Sequence, residues 1–205
     1  MSTEYLDQLI RFRDKQLIKV VTGIRRCGKS TLLELFRDEL LKNGVIEEQI
    51  ISVNFEDAEY EDLMDRKALY NYIKERLVPN GMNYIFLDEI QHVDEWQRVV
   101  DSLFIKKNCD VYVAGSNAYL LSGELATLLS GRYVEIKMLP LSFAEYVSSF
   151  HDKTNLPGKY RSYLANSSFP YTLELDKAKD IRAYLDGISA ISIPWIIRGD
   201  TELWL

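Results

Sequence analysis

The chain has 205 residues, enough to bury roughly 70% of its unfolded surface in a core without disulfide or metal staples. Apolar residues at 47% and charged residues at 27% exclude a disordered, collagenous or disulfide-stapled chain, and two cysteines and two histidines leave little from which to build a His/Cys metal centre. No apolar run approaches the ~20 residues of a membrane span and Met1-Ser2-Thr3-Glu4 opens no signal peptide, so the expectation is a cytoplasmic protein.

Gln16 to Val21 is a short β-branched run that stops at Thr22-Gly23 and predicts a buried strand. From Ser30 to about Leu41 the apolar residues fall at helical spacing, and Asn43-Gly44 closes the helix. Ile50 to Phe55 predicts a second strand, Leu63 to Leu77 a second helix, and Tyr84 to Leu87 a third strand. Asp94 to Lys107 reads as a third helix with Asp94 as N-cap, followed by strands at Val111 to Ala114 and Tyr133 to Ile136. Strands alternating with helices of this length predict an α/β fold whose parallel sheet is covered on both faces. Beyond Pro140 the pattern turns helical, over Ser142 to Phe150, Tyr160 to Asn166 and Asp176 to Asp186, with Asp152 to Lys159 as a polar loop. The expected organisation is a core over 1–140, a small helical lid-like segment over 141–187 and an unassigned tail over 188–205.

Charge is uneven along this pattern. Residues 1–37 carry eight Lys/Arg against four Asp/Glu, whereas the remainder carries seventeen against twenty-seven, for a net charge of -6. That balance argues against a broad nucleic-acid surface, which needs clustered positive charge. The acidic stretch Asp38 to Asp65 reads as a solvated helix end and loop.

Gly23-Ile24-Arg25-Arg26-Cys27-Gly28-Lys29-Ser30 matches G-x-x-x-x-G-K-[ST], with a strand before it and a helix after it, as a phosphate-binding P-loop requires. Gly23 and Gly28 let backbone N–H groups curl round an anion at a helix N-terminus. Lys29 supplies a point charge for β- and γ-phosphates, and Ser30 a hydroxyl for Mg²⁺. Arg25 and Arg26 occupy the variable part of the loop, open to phosphate, a partner or solvent, and Cys27 is a small filler there.

The third strand runs into Asp88-Glu89. A carboxylate at the C-terminal edge of a buried strand beside the P-loop is where a Walker B aspartate holds Mg²⁺, which assigns Asp88, and its neighbour Glu89 is then placed to polarise an attacking water. The fourth strand ends in Ala114-Gly115-Ser116-Asn117, where a polar tip detects the γ-phosphate, with Asn117 the first choice and Ser116 the second. Arg132, just before the fifth strand, is a candidate arginine finger, in its own subunit or in a neighbour. Glu56-Asp57 is a turn that also suits a second rank of water or Mg²⁺ orientation, and Trp96 a packing anchor.

Five blocks, GIRRCGKST at Gly23 to Thr31, NFED at Asn54 to Asp57, LDEIQ at Leu87 to Gln91, GSNA at Gly115 to Ala118 and LSGR at Leu129 to Arg132, together resemble AAA-family ATPases of bacteria and archaea. The resemblance covers about residues 12–187 and extends ATP-loop contacts to Thr31. It implies a P-loop NTPase fold with sheet order 5-1-4-3-2, ATP and Mg²⁺ as ligands, and a homo-oligomer if Arg132 acts in trans. Members of that family are about twice as long and continue into a winged-helix-like segment and a nuclease-like domain, through which a nucleic-acid role would run. Ile188 to Leu205 does not look like the helical continuation of that pattern and reads as a truncated or frameshifted end.

Three functions stand at this level: Mg²⁺-dependent ATP hydrolysis coupled to a conformational change, a non-hydrolysing nucleotide-binding adaptor, and a P-loop small-molecule kinase. Adjacent Asp88-Glu89 with a polar residue at 117 favours water as acceptor over a kinase substrate. The absence of an Asn/Thr-Lys-x-Asp guanine-reading motif favours ATP over GTP.

Overall fold

A computed structural model of the protein describes residues 3–116 and 129–192. Contacts divide the chain into two compact units, Met1–Gly23 with Gly28–Met138, and Ile24–Cys27 with the segment from Leu139 onward.

The first unit is built on five parallel strands, β1 (Ile18–Gly23), β2 (Ile50–Asn54), β3 (Asn83–Asp88), β4 (Cys109–Gly115) and β5 (Tyr133–Met138). Their order is β2-β3-β4-β1-β5, the sequence of neighbours that the family resemblance implies. Parallel strands cannot be joined by hairpins, so the returns from β1 to β2, β2 to β3 and β3 to β4 each run through a helix, and both faces of the sheet are covered. Helix α1 (Thr3–Phe12) precedes β1, α2 (Lys29–Lys42) follows it, and α3 (Arg66–Arg76) and α4 (Trp96–Phe104) carry the chain between β2, β3 and β4.

Strand alternation sorts the core into two layers. Ile18, Val20, Val53, Ile85, Leu87, Val111 and Val113 belong to one cluster with Leu69 and Ile73 of α3 and Trp96, Val99, Val100 and Leu103 of α4. The intervening residues Phe86 and Tyr112 stack at 4.9 Å and meet Phe36 of α2, 5.0 Å from Tyr112. Trp96 is buried in the first layer as a packing anchor.

Several boundaries differ from the sequence expectation. Helix α1 was not anticipated; it is a short amphipathic element that buries Leu9. Residues 58–64 form a 3-10 turn, and α3 starts only at Arg66, because Asp65 accepts hydrogen bonds from the N–H groups of Lys67 and Ala68 at 3.0 and 2.9 Å and so caps the helix. Helix α4 starts at Trp96 after Glu95, not after a cap at Asp94.

The second unit contains α5 (Phe143–Ser148), α6 (Leu156–Asn166) and α7 (Ala178–Ser192). A reciprocal capping box between Ser142 and Glu145 starts α5. Aromatic rings join α5 to α6, with Phe143 5.1 Å from Tyr160 and Tyr146 5.3 Å from Tyr163. The expected polar loop over 152–159 is shorter than anticipated, since α6 begins at Leu156. Pro157 occupies the first turn, where its missing N–H has no helical acceptor to lose, and Asn155 accepts from Gly158 N–H at 3.2 Å. Helix α7 runs beyond residue 187 to Ser192, and the rest of the tail lies outside the described residues.

A buried ionic network closes the sheet near its N-terminal end. Lys19 of β1 and Asp110 of β4, both almost completely buried, form an ion pair. Lys19 Nζ also donates to Lys15 O at 2.8 Å, and Asp110 accepts from Asp14 N–H at 2.8 Å and from the Tyr112 hydroxyl at 2.7 Å. Tyr84 donates to Asp14 at 2.8 Å, and burial followed by that bond pushes its phenol up to about 12. Burial lowers the Lys19 ammonium and raises the Asp110 carboxyl, while their attraction works against both shifts. Asp110→Ala strands the Lys19 charge and is expected to reduce stability by about 3–5 kcal/mol in chemical denaturation. A loss below about 1 kcal/mol, as for an exposed pair, would show that the network contributes little.

Candidate functional site

Parallel pairing brings the C-terminal ends of β1, β4 and β3 to one edge of the sheet. Register places Thr22 of β1 opposite Gly115 of β4, and Leu87 of β3 opposite Val113. The end of β1 at Gly23, the polar tip of β4 and the acidic end of β3 therefore converge.

Gly28 is the N-cap of α2 and has φ of 100°, a left-handed conformation that a side chain disfavours. Its carbonyl accepts the first helical bond from Leu32 at 3.0 Å, so α2 begins at Lys29 and its N-terminus opens toward the loop. Within the loop, Arg26 is also left-handed at φ of 66°, and its guanidinium lies 5.3 Å over the Tyr184 ring of α7. Both Arg26 and Tyr184 belong to the second unit. Arg25 and Thr31 are exposed, and Cys27 is buried and forms no disulfide.

Lys29 is buried, and its ammonium lies near Gly23 O at 3.4 Å, Ser116 Oγ at 3.3 Å and the Glu89 carboxylate at 3.5 Å, among its contacts. Glu89 follows the last residue of β3 with φ of 49°, a sparsely populated conformation for a side-chain-bearing residue. Its carboxylate accepts from the Ser116 hydroxyl, from Ser116 N–H at 3.2 Å and from the Gln91 side-chain amide. Burial raises the Glu89 carboxyl, but the bonds from Ser116 and Gln91 and the charge of Lys29 more than offset it, so it lies below the ordinary carboxylate value and is ionised at neutral pH.

Asp88 is set apart from Glu89 by environment. Burial raises its carboxyl above the usual value, opposed by a hydrogen bond from Ser30 and by Glu89 N–H at 3.0 Å. Ser30, Asp88 and Asn54 line one small cavity of about 130 Å³ with Ser52 and Arg37. Asn54 stands opposite Asp88 in register, and its side chain accepts from Glu56 N–H at 3.0 Å. The Asp88 carboxylate, the Ser30 hydroxyl and the Asn54 amide, with Glu34 also on the cavity wall, form a hard, oxygen-rich set that fits Mg²⁺ held jointly with phosphate oxygens. Among the described residues no group of three or more His, Cys, Asp or Glu is placed to hold a metal by itself.

Gly23, Gly28, Lys29, Ser30, Asp88, Glu89 and Ser116 thus gather at one edge. Asn117 lies outside the described residues. Asp57 caps the following turn by accepting from Glu59 N–H at 3.0 Å, and Glu56 is exposed. Arg132 is not gathered: Tyr133 pairs with Ile18, which puts Arg132 at the N-terminal end of β5, roughly 20 Å from the loop end of the sheet at ~3.3 Å per residue. There it forms an ion pair with Asp101 and lies 5.6 Å from the Phe104 ring. The expectation of a finger acting in its own subunit does not fit this distance. Gln91 and Asn54 fall inside the LDEIQ and NFED blocks, yet only the register and the turn after β3 give their side chains a place in the site.

A family profile described as an AAA domain matches residues 15–147. An uncharacterized protein of Haemophilus influenzae is 44% identical over 178 residues, covering 84% of this chain and 44% of that protein. An uncharacterized protein of Methanocaldococcus jannaschii is 31% identical over 185 residues, covering 83% and 40%. The chain spans less than half the length of these relatives. Among solved structures, a Walker-type ATPase of Pyrococcus abyssi superposes with a TM-score of 0.64 at 14% identity, over 91% of this chain and 72% of that one. DnaA from Aquifex aeolicus bound to AMPPCP superposes with a TM-score of 0.52 at 13% identity, over 98% and 61%. These two likenesses are of fold.

Lys29→Ala removes the charged donor from the loop and leaves the helix N-terminus in place. Inorganic tripolyphosphate, followed by calorimetry, is expected to bind roughly 10- to 100-fold more weakly to the variant, the loss of a charge-assisted hydrogen bond. Equal affinity would mean that Lys29 does not face the anion.

Proposed function

Because the chain belongs to the AAA domain family, we propose that it binds ATP with Mg²⁺ at the P-loop, hydrolyses it, and uses the change to reposition a partner. The observation that carries this reading is the Glu89 carboxylate, ionised and hydrogen-bonded to Ser116, within 3.5 Å of the P-loop lysine. A base so placed is matched to water.

Backbone N–H groups of the loop and the N-terminus of α2 cradle the phosphates, and Lys29 exchanges its contact with Glu89 for the β- and γ-phosphate oxygens. Ser30 and Asp88 would hold Mg²⁺, which would supply neutralisation of the phosphate charge. Glu89 takes the proton of a water whose oxygen bonds to the γ-phosphorus. The bond from that phosphorus to the β–γ bridging oxygen breaks, and its electron pair leaves with ADP. Ser116, bonded to both Lys29 and Glu89, is the group that registers loss of the γ-phosphate, with Asn117 beside it in sequence.

Glu89→Gln is expected to keep ATP affinity within about twofold and to lower phosphate release by ~10²–10⁴, the range for loss of a general base. Asp88→Asn weakens the Mg²⁺-dependent part of binding. Tight binding without phosphate release by the unaltered chain would make it a nucleotide-binding adaptor instead.

From the far end of the sheet Arg132 reaches a nucleotide only in a neighbouring subunit, and that role requires an assembly. Specific activity is then expected to rise with protein concentration, and Arg132→Ala to flatten the rise. A flat profile with a fully active variant makes Arg132 a partner of Asp101 and nothing more.

A further inference from the structure

The turn that follows β3 holds a residue with no assigned part in the reaction. Ile90 and Val93 are buried in the core, and His92 N–H and Val93 N–H close the turn onto Glu89 O and Ile90 O at 3.2 and 3.0 Å. Gln91 lies between these anchors, so its side chain starts from a fixed point. Its amide nitrogen donates to Glu89 Oε2. No other orientation of the amide is compatible with a carboxylate, which only accepts. The amide oxygen is left to accept from elsewhere, and it is buried with no hydrogen-bond partner among the described residues.

The Glu89 carboxylate is itself fully engaged. Oε2 accepts from Gln91 and from Ser116 N–H, while Oε1 accepts from the Ser116 hydroxyl and faces Lys29 Nζ at 3.5 Å. Two carboxylate oxygens offer about four acceptor sites, so this arrangement leaves none for a water. Of the four donors, Lys29 is the one whose role at a phosphate draws it away, and its departure opens Oε1 while Gln91 still grips Oε2.

We propose that Gln91 is a positioning residue for the attacking water: its amide nitrogen fixes the orientation of Glu89, and its buried amide oxygen accepts the second hydrogen of the water that Glu89 deprotonates. One hydrogen of the water passes to Glu89 Oε1 as its oxygen bonds to the γ-phosphorus, and the bond to the ADP oxygen breaks. The other hydrogen stays on the oxygen that becomes part of inorganic phosphate, directed by Gln91. The two acceptors select one orientation of the nucleophile, which is what an in-line displacement requires. This rests on the reading of the chain as an ATP hydrolase.

The test compares Gln91→Leu and Gln91→Glu with the unaltered chain in three measurements: kcat and KM for phosphate release, affinity for AMPPCP, and affinity for ADP with tetrafluoroaluminate, which mimics the phosphoryl group in flight with its axial water. Gln91→Leu is expected to lower kcat about 10- to 100-fold, at the modest end for loss of proton-transfer assistance. Fluoroaluminate affinity should fall by a similar factor, with KM and AMPPCP affinity within about twofold, since only interactions stronger in the transition state move kcat alone. Gln91→Glu keeps an acceptor but loses the donor and opposes Glu89 with like charge, so it should lose at least as much. Unaltered kcat in Gln91→Leu overturns the proposal, as does an equal loss of AMPPCP affinity, which marks a structural role. If the unaltered chain binds AMPPCP but neither releases phosphate nor captures ADP with fluoroaluminate, the hydrolase reading fails and this inference falls with it.

Discussion

Parallel pairing of β1, β4 and β3 is the constraint from which the site follows. Because neighbouring strands point the same way, the residues that leave their C-terminal ends must emerge at one edge, whatever the intervening helices do. Gly23, Ser116 and Asp88-Glu89 come from segments separated by tens of residues, yet the ladder brings them within reach of a single lysine side chain. The two apolar layers hold that ladder flat against α2 on one side and α3 and α4 on the other, and so the site inherits the rigidity of the core.

Two buried lysines on and beside β1 illustrate how the same charge serves different ends. Lys19, toward the N-terminal end, meets a carboxylate that is itself satisfied by Tyr112 and Asp14, a closed network that locks strands and the segment after α1 together. Lys29, at the other end, meets Gly23 O, Ser116 Oγ and the Glu89 carboxylate at 3.3 to 3.5 Å, all groups at the C-terminal edge of the sheet. The carboxylates divide in the same way: burial governs Asp88 and raises it, while hydrogen bonds and Lys29 govern Glu89 and lower it.

Arg132 shows the limit of reading position from proximity in the chain. It directly precedes a strand that is hydrogen-bonded to β1, and on paper lies near the loop. In a parallel sheet, however, the residue before a strand and the residue after its neighbour lie at opposite edges. Gln91 is the reverse case. It sits two residues from the acid in a stretch with the composition of a turn, and its importance comes from a donor-acceptor arrangement that composition does not encode.

By itself the amino-acid sequence determined the strands, short apolar runs bounded by turn residues and alternating with helical stretches, and the P-loop and Asp88-Glu89, whose residue types follow from phosphate and metal chemistry at fixed spacing. It also carried the family likeness, and with that the sheet order. Tertiary structure alone decided the pairing of Asn54 with Asp88, the hold of Ser116 on Glu89 and the remoteness of Arg132, because each depends on the register between strands distant in the chain, and the turn after β3 decided the hold of Gln91 on Glu89. It also decided the boundaries at which weak local signals compete. Pro157-Gly158 reads as a break until Asn155 caps the helix that contains it, and α1 is too short to announce itself before Leu9 has a core to enter. Spacing along a chain fixes what can be done at a site; hydrogen bonding across the sheet fixes which groups are there to do it.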